Sequence, residues 1–186
     1  MKKLLLALLA ASACVGAQSA TYNLDPLHTH VIFEIDHIIS TNRGRFDRKE
    51  GAVEFDPQAQ KGRVDLTVDM LSINTGVAPF NKQLQGKDFF NVEQFPTAKF
   101  TADDFVFSGD KVVEVNGNLT LVGKTNPVKL KALRFTCFEN KMLKREVCGG
   151  DFEATITRSQ WGMVWGIDRG FPDNLRLLIQ VEGIKQ

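Results

Sequence analysis

The stretch Val113-Glu114-Val115-Asn116-Gly117-Asn118-Leu119-Thr120-Leu121 places apolar or small residues on odd positions and polar ones on even positions. Successive side chains leave an extended strand on opposite sides, so a period of two marks a strand with one face buried and one face wet. Four further stretches repeat the pattern. Val31, Phe33 and Ile35 alternate with Ile32, Glu34 and Asp36, and Val64, Leu66, Val68 and Met70 with Arg63, Asp65, Thr67 and Asp69. Phe152, Ala154 and Ile156 alternate with Glu153, Thr155 and Thr157, and Leu175, Leu177, Ile179 and Val181 with Arg176, Gln180 and Glu182. Turn-forming residues lie between the runs, at Asp56-Pro57, Ser108-Gly109-Asp110, Glu139-Asn140-Lys141 and Pro172-Asp173-Asn174. One-sided strands joined by such turns pair antiparallel. Only Pro79 to Phe90 reads as helical, with Pro79 at a first helical position and Phe80, Gln83 and Leu84 sharing a face. About eight strands, one short helix and no βα alternation predict an all-β domain, either a closed barrel or a two-sheet sandwich.

The N-terminus carries a different signal. Lys2 and Lys3 precede an unbroken apolar run, Leu4 to Ala11, and small residues follow. This is the layout of a secretory signal peptide, and the run is too short to span a bilayer. Ala17 and Ala20 both offer a small-residue exit; Ala20 sits just ahead of the patterned region and is taken as the boundary. The expected division is therefore a signal peptide over 1–20 and one domain over 21–186. Cys14 is not expected to carry a lipid, because Ala11-Ser12-Ala13 lacks the leucine of a lipoprotein signal. Export places the protein in the periplasm or outside the cell.

With Cys14 removed, Cys137 and Cys148 remain, and an even count in an exported chain predicts a disulfide. Without Lys2 and Lys3, 21 basic residues face 22 acidic ones, a net charge of −1. No basic block stands out, which argues against nucleic acid and against anionic membrane surfaces as partners. The domain has no second apolar run of membrane length. Exposed edges or a barrel mouth would allow a homodimer.

The candidate functional residues are mostly apolar. The chain has 14 Phe, two Trp and a single Tyr. Phenylalanine has no polar tip, so a wall of Phe can line a dry cavity for featureless hydrocarbon. Composition alone suits a filled core better than a hollow one. Two polar residues continue apolar faces: His37 follows Val31, Phe33 and Ile35, and Arg158 follows Phe152, Ala154 and Ile156. An inward guanidinium is costly unless partnered. Two readings stand for Arg158: it holds the oxygens of a ligand head group together with His37, or it leaves the barrel at the strand end and meets solvent. His28 and His30 could begin a metal site, but no further ligand completes a metal spacing, and turn or strand-start roles are favoured. No nucleophile elbow, phosphate loop or metalloprotease helix is present, and Asp103-Asp104 is expected at a surface turn. No catalytic residue, cofactor or metal is expected, and the protein is not expected to be an enzyme.

Further motifs carry a resemblance. They are Tyr22-x-Leu24-Asp25-x-x-His28-Thr29, Phe33-x-Ile35-x-His37, Gly44-x-Phe46, Ser72-Ile73-x-Thr75, and Leu84-x-x-x-Asp88-Phe89-Phe90-Asn91-Val92 followed by Pro96 and Phe100. Then come Gly117-x-Leu119-Thr120-Leu121-x-Gly123-x-Thr125-x-Pro127-Val128 and Arg158-x-x-Trp161-Gly162-Met163. In this order the chain resembles the YceI-like family of polyisoprenoid-binding proteins over nearly all of residues 21–186. The resemblance implies an eight-stranded, antiparallel, lipocalin-like barrel whose interior binds and carries a long isoprenoid lipid, such as ubiquinone or a polyprenyl compound, without catalysis. The expected ligand-contacting residues are Phe33, His37, Phe46, Phe89, Phe90, Phe100, Arg158, Trp161 and Met163. A ligand-free β-barrel acting as an interaction or stress-response module is the alternative. The chain departs from the family's pattern at Asn81-Lys82-Gln83-Leu84 and at His30, segments expected near the cavity mouth, where a change bears on head-group preference.

Overall fold

The computed structural model describes residues 19–186. In chain order it contains β1 (Ala20–Leu24), β2 (His30–His37), β3 (Ser40–Phe46), β4 (Lys49–Asp56), β5 (Lys61–Asp69), β6 (Ile73–Asn74) and α1 (Ala78–Gln85). β7 (Thr97–Ser108), β8 (Lys111–Leu121), β9 (Lys124–Asn140), β10 (Arg145–Thr157) and β11 (Asn174–Lys185) complete it. All pairings are antiparallel. β1 and β2 both pair with β11; β1 also pairs with β4 and β2 with β3, while β5 and β6 pair with β4 and β3. Thus β1 and β2 form one broken strand, as do β3 with β4 and β5 with β6. Counted this way the sheet closes as an eight-stranded barrel, and the sandwich is excluded.

Each break has a local cause. Pro26 offers no N–H to a ladder, and the Asp25 carboxylate accepts from the Leu27 amide at 2.9 Å, turning the chain between β1 and β2. The other two breaks lie side by side: the Asp47 amide donates to the Ser72 carbonyl at 3.0 Å and the Arg48 amide to Ser72 Oγ at 2.9 Å. Asp69 caps a short 3₁₀ turn there by accepting from the Leu71 amide at 2.9 Å.

The inward faces of β2, β5, β10 and β11 follow the sequence alternation. β8 does not follow it throughout. Val106 pairs with Glu114 but Phe107 pairs with Val112, so Val113 is the extra residue of a bulge. Val112 is 2% exposed and Val113 38% exposed, the reverse of the parity extrapolated from Leu121. Asp103 and Asp104 lie inside β7 at another bulge, not at a turn. The helix is Ala78–Gln85 and leaves Phe89 and Phe90 in the loop beyond it. Cys137 and Cys148 are opposite residues of β9 and β10, joined by a disulfide with Cα atoms 4.1 Å apart. The signal-peptide reading, Cys14 and Ala17 fall outside the described residues; Ala20 opens β1 opposite Phe55.

The barrel has two unlike ends. One bears the tight hairpins β4–β5, β7–β8 and β9–β10. The other bears α1, the β2–β3 hairpin and the irregular segment 158–173 between β10 and β11.

Candidate ligand-binding site

Two cavities lie along the barrel axis. The inner one, of about 150 Å³, fills the hairpin half and is bordered by Phe55, Phe100, Phe105 and Phe135 with Val31 and Leu177. The outer one, of about 440 Å³, opens at the helix end among Phe33, Phe80, Leu84, Phe89, Phe90 and Met163. On β2 the border between them falls between Val31 and Phe33, and on β11 between Leu177 and Leu175. Consecutive inward residues therefore serve successive chambers, end to end.

Polar side chains on the inner chamber are already engaged. Tyr22 Oη donates to Glu146 Oε1 at 2.6 Å. Burial, then this carboxylate, pushes the Tyr22 phenol well above its ordinary value. Glu146 also accepts from Lys185 Nζ at 3.0 Å, and the two donors hold its carboxyl below the usual range. Thr29 Oγ1, 3.3 Å from both, donates to the Glu182 carbonyl and accepts from the Glu182 amide. Among the described residues no buried side-chain nitrogen or oxygen lacks a partner. An apolar void of this size stays dry, because water inside would find no partner. The stacked pair Phe55–Phe107, centroids 5.8 Å apart, and the edge contact of Phe55 with Phe135 at 5.3 Å lie towards the hairpin end.

The outer chamber mixes aromatic and polar groups. Asp36, His37, Asn42, Gln83 and Arg158 share its wall with the apolar residues. A run of rings crosses it: Phe89 to Trp165 at 5.3 Å, Trp165 to Phe171 at 5.5 Å, and Phe171 to His37 at 5.5 Å. Arg169 stands over the Trp165 ring at 5.5 Å.

Arg158 is 5% exposed and opens a 3₁₀ turn, Arg158–Trp161, directly after β10. Its Nε donates to the Pro172 carbonyl at 2.9 Å and its Nη1 to the Met163 carbonyl at 2.8 Å. The solvent-reaching reading is thereby overturned. The guanidinium stitches both limbs of the 158–173 segment together, with burial lowering its pKa and Asp173 partly opposing the shift. Its Nη2 has no hydrogen bond among the described residues but is not sealed in, and the side chain borders the outer chamber. Gly162, at φ 85°, lets the chain turn back after Trp161.

The expected contact residues divide by position. Phe33, His37, Phe89, Phe90, Arg158 and Met163 border the outer chamber, and Phe100 borders the inner one. Phe46 borders neither; it packs between Phe33 at 6.1 Å and Phe90 at 5.7 Å. Trp161, 1% exposed, also lies off both chambers, with Nε1 donating to the Leu119 carbonyl at 3.0 Å. Phe55, Phe135, Trp165 and Phe171 were not in the expected set. The first two carry a signal in their strands, but Trp165 and Phe171 sit in a segment without periodicity. Gln83 and Leu84 do reach the outer chamber, and Asn81 accepts from the Thr75 amide and hydroxyl at 2.8 and 2.6 Å. His30 borders neither chamber, so its change lies away from the mouth. His28 is held by Asp25 at 2.7 Å, with Glu182 nearby and His30 outside the group.

A family model for the YceI-like domain matches residues 22–183. The chain belongs to the YceI-like family. A UPF0312 protein from Photorhabdus laumondii is 38% identical over 71% of this chain and 72% of its own length. Another UPF0312 protein, from Pseudomonas paraeruginosa, is 33% identical over the full length of both. Among solved structures, Burkholderia cenocepacia BcnA superposes with a TM-score of 0.72 at 24% identity, covering 86% of this chain and 98% of BcnA. A polyisoprenoid-binding domain from Saccharophagus degradans superposes with a TM-score of 0.62 at 16% identity, covering 89% of this chain and 98% of that domain. At those identities the structural likeness speaks for the YceI-like fold.

Proposed function

We propose that this protein binds a long-chain isoprenoid lipid, such as ubiquinone or a polyprenyl compound, inside its barrel, in the periplasm, without catalysing a reaction on it. The observation that carries the reading is the pair of abutting chambers: a dry apolar inner one and a larger outer one with a few polar groups. The tail would run from the outer chamber past Phe33 into the inner one, and the head would remain among Gln83, His37 and Arg158. Volumes support this division. The outer chamber lies within the few hundred Å³ typical of ligand sites, whereas the inner one alone suits a single short hydrocarbon segment. Each buried methylene contributes about 0.8 kcal/mol, so ten would give about 8 kcal/mol before ordering costs, with little help from the head. The Saccharophagus degradans domain of the same fold, described as polyisoprenoid-binding, adds support.

Mass spectrometry of organic extracts of the purified protein tests the reading. An isoprenoid recovered near one per chain is expected. A lipid-free protein that also fails to take up added isoprenoid would leave a β-barrel interaction module as the better account.

A further inference from the structure

The hairpin β9–β10 is unlike the other two at its end of the barrel. The last β8–β9 pair towards that end joins Glu114 to Lys131, so β9 continues from Ala132 to Asn140 without a β8 partner. On this overhang and its turn sit four large apolar residues that face solvent: Leu133 and Phe138, each 52% exposed, Leu143 at 46% and Met142 at 93%. Lys141, Lys144 and Arg145 stand beside them, all exposed and none in an ion pair among the described residues. Within the hairpin from Thr136 to Cys148 the carboxylates are Glu146, engaged by Tyr22 and Lys185, and Glu139, which offsets one of the cations. The tip is built rather than loose. Asn140 Oδ1 accepts from the Met142 and Leu143 amides at 3.0 and 3.1 Å, and the Cys137–Cys148 disulfide staples the two strands below it.

We infer that this hairpin docks the protein on an anionic lipid bilayer, with Met142 and Leu143 entering the headgroup boundary and Lys141, Lys144 and Arg145 meeting the lipid charges. A chain close to neutral overall has concentrated cations on one projecting tip, which gives complementarity to an anionic plane rather than general basicity. The apolar residues at the tip are exposed and line neither chamber, a placement that suits contact with a soft hydrocarbon boundary. Cations at an anionic membrane each add to binding, as does apolar area inserted below them. Whole-chain composition hides this feature, because the scattered acidic residues elsewhere cancel it. The inference does not depend on what the barrel carries.

Vesicle flotation tests it, with liposomes of pure phosphatidylcholine and of phosphatidylcholine containing phosphatidylglycerol. Counting the three cations net of Glu139, binding to the anionic vesicles should be about thirtyfold tighter at low salt and should weaken as salt rises. The triple variant Lys141→Glu, Lys144→Glu, Arg145→Glu should lose the preference, and Met142→Ser with Leu143→Ser should lose binding that persists in salt. All five positions are exposed, so thermal unfolding should match the parent. Equal binding to both vesicle types, no binding to either, or full binding by the charge-reversed variant would overturn the inference. So would a dimer, or a complex with an acidic protein, that these substitutions abolish while vesicles remain unbound.

Discussion

Phe33 reaches over its cross-strand partner Gly44: a Cβ built at Gly44 would stand 2.6 Å from Cε1 of the Phe33 ring and 3.0 Å from a methyl of Thr75. The absent side chain is what lets the ring settle where the two chambers meet. Phe46 packs against the same ring, at 6.1 Å, and Phe90 packs in turn against Phe46, at 5.7 Å. If a lipid tail runs from the outer chamber to the inner one as proposed, it must pass this ring.

Replacing Phe33 by Ala should join the chambers. The protein should lose about 3–5 kcal/mol of stability, the usual cost of truncating a buried aromatic. It should nevertheless bind a long-chain lipid at least as well per folded molecule. Denaturant melts measure the first effect, and lipid-to-protein ratios after incubation with excess lipid measure the second. Gly44→Ala acts in the opposite sense, pushing the ring off its seat at a cost of about 1–3 kcal/mol for overpacking and narrowing the passage.

Arg158 is a positioning residue for the mouth in this account. Arg158→Met would leave the Pro172 and Met163 carbonyls unpartnered inside the protein and should cost about 3 kcal/mol. Proteolysis should then cut first within 158–173, before the barrel melts. A head-group role in addition would appear as a changed lipid profile in the conservative variant Arg158→Lys, whose single ammonium cannot reproduce the fork.

Cys137→Ser with Cys148→Ser should lower stability by about 3 kcal/mol, on the chain-entropy view of a loop this short. The loss should show in the melting temperature of the oxidised protein and vanish when both proteins are compared under reductant.

The Asp25–His28 pair predicts a pH window. The hydrogen bond from His28 lowers the Asp25 pKa, and the bond to Asp25, with Glu182 nearby, raises that of His28. The histidine contribution is complete below its unfolded value of about 6.5 and is lost as pH rises through the raised folded value. The aspartate contribution is present above about 3.9 and is lost as pH falls through the lowered one. The difference in melting temperature between the parent and His28→Asn should therefore peak between about pH 4 and 6.5 and shrink on both sides. A difference that grows above neutrality would show that the pair is not ionic.

Much of the barrel was legible in the sequence because burial on one face leaves a period of two, as along Phe152 to Ile156. The inward placement of Arg158 followed from that same register. Val113 was misplaced because a bulge adds one residue, and nothing in a local run announces a bulge. Trp165 and Phe171 were missed because their segment is held by Arg158 and Asp173 contacts between residues distant along the chain, as in the bond of Ser159 Oγ to Asp173 Oδ2 at 2.7 Å. Whether the interior was hollow was not legible either. It depends on how rings such as Phe33 and Phe55 pack across the barrel, and composition is the same for a full core and an open one.

The proposed function requires hydrocarbon to occupy the barrel from mouth to interior. A crystal structure of the protein loaded with an isoprenoid analogue brominated at the tail terminus tests it most directly. An anomalous peak beyond Phe33, among Phe55, Phe100 and Phe135, is the predicted result. A peak confined to the outside of the barrel, with the inner chamber empty and the rings unmoved, would contradict it.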